Sequence, residues 1–118
     1  MKTASEHLRD LLRELADVAE FTRAGRETFM QSRQIQKAVI KSYENIGEIV
    51  KRIPQHVREA NPQIAWTTLA GFRDFLIHNY DRVILDNVWV AVEDLPALQA
   101  AVEAVLGDLE ANADDQNS

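Results

Sequence analysis

Apolar residues recur at helical spacing along most of the chain. Leu8, Leu11, Leu12, Leu15, Val18 and Ala19 form one stripe over roughly 5–22, and Ser5 is suited to cap that helix. Gly25 ends or loosens it. A longer pattern from about 28 to 53 sets Ile35, Val39, Tyr43, Ile46, Val50 and Ile53 at steps of three and four. Pro54 stops it, because proline has no N–H for the helix ladder. Residues 54–64 are polar and predict a connection containing a single helical turn. A third helix begins near Ile64 or Ala65 and carries Ala65, Leu69, Phe72 and Leu76 on one face. The stretch Val83–Val92 has the β-branched content of a strand, but Leu85, Val88, Trp89 and Val92 suit a helix and a lone strand has no partner. It is read as helix. Pro96 kinks that helix or opens a new one, in which Leu98, Val102, Val105 and Leu109 continue the stripe. The expected fold class is all-α, an up-and-down bundle of four or five helices. One domain spans 1–110, followed by an acidic tail, 111–118, expected to be disordered.

Length and composition agree with that picture. A chain of 118 residues buries a core without staples, and the absence of cysteine removes disulfides, thiolate nucleophiles and cysteine metal sites. No apolar run reaches the roughly 18 residues of a membrane span, and Met1–His7 lacks the apolar core of a signal peptide. The protein is therefore read as soluble and cytoplasmic, with no membrane partner.

The net charge of −6 argues against a nucleic-acid partner until its distribution is considered. Of 19 acidic residues eight follow Arg82, leaving 11 against all 13 basic residues in 1–82. Within 33–58 the bias sharpens to Arg33, Lys37, Lys41, Lys51, Arg52 and Arg58 against Glu44 and Glu48. Such a face can hold phosphates on an acidic protein, or it can simply be a solvated helix face.

Most site signatures are missing: there is no glycine-rich phosphate loop, no His-Glu-x-x-His pattern and no cysteine cluster. His7, His56 and His78 are too scattered to suggest a metal site, so no metal or cofactor is expected. Glu44 and Glu48 form an i, i+4 pair that suits either a metal or the cations Lys41, Lys51 and Arg52. The segment Phe72–Arg82 differs, placing a guanidinium, an imidazole, a phenol and two carboxylates on an otherwise apolar helix. Asp74, His78 and Asp81 share one stripe, so Asp74 is placed to accept a hydrogen bond from the His78 ring and fix its tautomer. Arg73 and His78 stand five steps of about 100° apart, some 140° around an ideal helix. Either the helix loosens there or a second copy supplies the missing group, which implies a two-fold dimer. A buried Asp–Arg–His network closing the bundle is the other reading of the same residues.

Arg73-Asp74-Phe75-Leu76-Ile77-His78-Asn79-Tyr80 resembles the R-x4–6-H-x-Y motif of HEPN domains. Its surroundings sharpen the likeness: Ile46-Gly47-Glu48, Asn61-Pro62, Ile64-Ala65-Trp66, Leu69-Ala70-Gly71-Phe72, Val88-Trp89 and Asp94-Leu95-Pro96 occur in the order seen in HepT-like proteins. The resemblance covers roughly 5–110. It implies the toxin half of a type VII toxin–antitoxin pair, a homodimeric helical bundle that cleaves RNA without a metal. It also implies a partner, a minimal nucleotidyltransferase (MNT) antitoxin that attaches AMP to the motif tyrosine, here Tyr80. By position, His78 is the acid–base group and Arg73 stabilises charge on phosphate, with Asp74 orienting both. Lys51, Arg52, Asn79 and Arg82 are candidate RNA contacts. Asp81 and Arg82 depart from the family, which often has an aromatic and a glycine there, and the loop at Glu93-Asp94 is a residue short. A non-catalytic module that serves mainly as partner and substrate of the nucleotidyltransferase is the alternative function.

Overall fold

Thr3, rather than Ser5, opens the first helix of the computed structural model, which describes residues 1–79 and 83–117, with side chains through Asn112. The Thr3 hydroxyl accepts from the Glu6 N–H at 3.1 Å, and the Glu6 carboxylate accepts from the Thr3 N–H at 3.3 Å. This capping box satisfies two donors that the first turn leaves without partners. The helix α1, Ala4–Phe21, ends at Thr22, and Gly25 takes φ 97°. That backbone angle suits glycine and turns the chain into α2, Arg26–Gln31.

The long helix expected over 28–53 is two helices. Ser32 is extended, and its hydroxyl accepts from the Ile35 N–H at 3.2 Å, so it caps a separate helix α3, Arg33–Arg52. The Gln36 side chain ties the joint by donating to the carbonyls of Phe29 and Met30. After Pro54 comes α4, Gln55–Ala60, the single turn expected in the connection. Then follow α5, Trp66–His78, α6, Leu85–Glu93, and α7, Leu95–Asn117. Pro96 thus lies in the first turn of a new helix. That helix runs on past Leu109, where the apolar stripe ends, and Arg9 on α1 pairs with Glu110 on it.

All described elements are helical, and four long helices form the bundle while three short ones close its joints. The core is where the spacing placed it. Leu8, Leu11, Leu15 and Val18 from α1 meet Val39, Tyr43, Ile46 and Val50 from α3, and Val88, Val102 and Val105 complete it. The central helix is α3, which packs on α1 with one side and on α5 with another. Of the four residues expected on the buried face of α5, Leu76 alone is buried, Leu69 and Phe72 are half-buried, and Ala65 is exposed. The far side of α5 borders a groove instead of a helix.

Tyr43 is 2 % exposed, and its hydroxyl is buried without a hydrogen-bond partner among the described residues. Burial pushes its phenol well above the usual range, with Asp94 adding to the shift. An unsatisfied buried hydroxyl costs free energy that a phenyl ring does not. Tyr43→Phe is therefore expected to hold or raise stability, by up to about 1 kcal/mol. A loss of about 1 kcal/mol in urea unfolding would mean the hydroxyl has a partner after all.

Candidate active site

The start of α5 is pinned by the chain that precedes it. The Trp66 indole N–H donates to the Asn61 carbonyl at 3.0 Å, and the Asn61 amide donates to the Val57 carbonyl at 2.8 Å. With Trp66 and Ile64 buried, these bonds fix where the helix begins and so where Arg73 falls along it.

Arg73 is set against α3 by a glycine. A Cβ on Gly47 would lie 2.1 Å from the Arg73 Cβ and 3.0 Å from the Leu69 carbonyl oxygen. Only a residue without a side chain lets the two helices approach this closely. The Arg73 side chain, 27 % exposed, then lies between two carboxylates. It meets Asp74 at 2.9 Å and Glu48 at 3.3 Å, while its Nε is buried with no partner among the described residues. Each carboxylate is shared with a second cation: Lys51 meets Asp74 at 2.7 Å, and Arg52 meets Glu48 at 3.4 Å. The result is an alternating row, Lys51, Asp74, Arg73, Glu48, Arg52, with three cations and two anions. The hydrogen bond from Lys51, followed by that from Arg73, holds the Asp74 carboxyl below the usual carboxylate range.

His78 is exposed and closes α5. Among the described residues no hydrogen bond joins it to Asp74, whose carboxylate is turned to Lys51 and Arg73. The expectation that Asp74 orients the His78 ring is thus corrected to one that it positions Arg73. A long lysine from α3 reaches the carboxylate, and spacing within α5 gives no sign of it. Asn79 caps the helix, with its side chain donating to the Phe75 carbonyl at 3.2 Å. Tyr80, Asp81 and Arg82 lie outside the described residues. Lys51 and Arg52 are exposed beside Arg73. Of the i, i+4 carboxylates, Glu44 pairs with Lys41 and Glu48 with Arg52, the cation reading of that pair. The ion pair of Arg73 with Glu48 was not legible in the sequence. A glycine inside the apolar pattern of α3 was the signal for the close contact beside it.

Between α5 and the α6–α7 pair lies a mainly apolar groove of about 660 Å³, lined by Leu69, Phe72 and Phe75 from α5, Val90 and Ala91 from α6, and Leu98 from α7. Phe75 and Val90 are 42 % and 57 % exposed, large apolar side chains left open to solvent. Phe75 precedes His78 by three residues, so the two share a face of α5.

Sequence comparison bears on these residues directly. The profile of the family described as "Ribonuclease HepT-like" matches residues 11–105, which include Gly47, Glu48, Arg73 and His78. The chain belongs to the HepT-like ribonuclease family. Among its relatives, "Putative RNase MJ0125" of Methanocaldococcus jannaschii is 40% identical over 105 residues, covering 87% of this chain and 90% of the relative. "Probable ribonuclease HepT" of Thermococcus cleftensis is 36% identical over 104 residues, covering 86% and 94%. "Putative RNase TTE0752" of Caldanaerobacter subterraneus is 32% identical over 108 residues, covering 90% and 96%. No solved structure matches the chain. HepT-like membership agrees with the helical bundle described above, and among the described residues no helix is long and apolar enough to cross a membrane.

Proposed function

We propose that this HepT-like chain is a metal-independent endoribonuclease of the HEPN type, acting in the cytoplasm as the toxin of a type VII toxin–antitoxin pair. The observation that carries the reading is the placement of Arg73. Gly47 and two carboxylates hold its guanidinium at the α3–α5 contact in a chain whose relatives carry ribonuclease names. A fixed, always-charged planar group suits charge developing on phosphate oxygens. Histidine, which titrates near neutrality, can take a proton from the ribose 2′-hydroxyl or give one to the leaving 5′-oxygen. Attack by that hydroxyl leaves a 2′,3′-cyclic phosphate. Asp74 acts as a positioning residue through Arg73.

Arg73 and His78 point away from each other on one helix, and the exposed Phe75 and Val90 lie on the His78 side. We assign that face to a second copy of the chain, so that His78 of one protomer works with Arg73 of the other. The antitoxin is a nucleotidyltransferase that places AMP on Tyr80, adding bulk and negative charge to the RNA path. The two carboxylates already facing Arg73 favour one further reading, a module that binds and is modified by that partner without cutting RNA.

Subunit mixing tests the proposal. Wild type is expected to cut RNA, Arg73→Ala and His78→Ala each to fail, and their mixture to recover part of the activity through dimers holding one intact shared site. Cutting by wild type with no recovery in the mixture would place both groups in one chain. No cutting by wild type would overturn the ribonuclease reading.

A further inference from the structure

We propose that the outward stripe of α3, from Arg33 through Lys37 and Lys41 to Lys51 and Arg52, is the track on which the RNA backbone lies as it leaves the Arg73 site. The inference rests on the ribonuclease reading and names the surface that holds the substrate away from the cut.

Helix geometry makes these five cations a single feature. At about 100° per residue, Arg33, Lys37, Lys41, Lys51 and Arg52 fall within an arc of about 100°, while the buried Val39, Tyr43, Ile46 and Val50 occupy the opposite side. At about 1.5 Å per residue, Arg33 to Lys51 spans about 27 Å, room for several nucleotides. Glu44 and Glu48 share the stripe, so it keeps a surplus of cations on a chain of net charge −6. The Lys51–Arg52 end of the track is tied to the site, since both residues bond the carboxylates that hold Arg73.

The Arg33 end, away from the site, is a groove rather than a bare helix face. Arg33, Lys37 and Lys41, with Gln36 and the single carboxylate Glu44 beside them, line a cleft of about 460 Å³, to which Ile40, Val83 and Leu85 add apolar surface. A strand of RNA fits such a cleft with phosphates on the cations and bases against the apolar side chains. Among the described residues Arg33 and Lys37 make no ion pair and Lys41 makes one at 3.8 Å, so the three cations of the cleft are open to phosphate. A solvated face without function would leave the same cations exposed, and affinity for RNA separates the two.

The test measures binding of an unstructured oligouridine of about 20 nucleotides, longer than a usual single-strand site, by fluorescence anisotropy. The His78→Ala protein serves as parent so that no cleavage disturbs the titration. Adding Arg33→Gln, Lys37→Gln and Lys41→Gln together is expected to weaken binding about tenfold or more at physiological salt. The slope of log affinity against log salt should fall by about 2, at about 0.7 per lost phosphate contact. A control pair, Arg9→Gln and Arg23→Gln, removes paired cations that line neither the cleft nor the site and should leave the slope unchanged. Equal effects from the two sets, no effect from either, or no binding by the parent would overturn the track. Failure of wild type to cut RNA would instead strike the ribonuclease reading, and is measured separately.

Discussion

His78→Ala is expected to lower RNA cleavage by about two to four orders of magnitude, the usual contribution of a positioned acid–base group. Stability should stay within about 0.5 kcal/mol of wild type, because the side chain is exposed at the last position of α5. The combination is what makes the variant informative. A histidine closing a buried Asp–Arg–His network would lose stability on truncation, since its partners would be left buried and unpaired. Here Asp74 is bonded to Lys51 and Arg73, so removing the imidazole breaks neither pair. Thermal unfolding and cleavage measured on one preparation check both halves. Lost activity with an unchanged midpoint supports the catalytic role. A fall of several degrees would return His78 to a structural one.

Gly47→Ala should harm both stability and activity although it adds a single methyl group. Alanine ordinarily improves a helix interior by up to about 1 kcal/mol over glycine. At Gly47 the new Cβ would stand 2.1 Å from the Cβ of Arg73 and 3.0 Å from a backbone carbonyl, atoms that cannot swing aside. The helices α3 and α5 must separate, and overpacking of this kind costs about 1–3 kcal/mol. The steric term therefore wins. Displacement by about 1 Å also carries Arg73 from its place, which can cost about a hundredfold in rate. Gly107 on α7 is the control, because a Cβ there meets nothing within 4 Å. Gly107→Ala should be neutral or mildly stabilising, and urea unfolding of the two variants compares them. Equal stability for both would show that α3 and α5 have slack at their contact.

Helical periodicity made the bundle legible where one face of a helix is buried against another helix. The stripes of α1 and α3 show this, from Leu8 to Val18 and from Val39 to Val50. It worked less well for α5, where Phe72 and Phe75 border a groove, so the apolar pattern continues onto an exposed side. The break at Ser32 is marked by no proline or glycine, although serine there carried the capping signal. At the site, spacing within one helix put Asp74 with His78. The stronger partner came from α3, and Lys51 is 23 residues away in sequence. Contacts across helices, including Gly47 with Arg73 and Glu48 with Arg73, follow from packing and leave no local spacing rule to read.

The most direct test of the central claim is the chemistry of the cut ends. Purified wild type, shown by intact mass to carry no AMP on Tyr80, would be incubated with RNA in EDTA beside His78→Ala. Wild type is expected to yield fragments ending in 2′,3′-cyclic phosphate, and the variant none. Intact RNA in both lanes, or equal cutting by both, would contradict it.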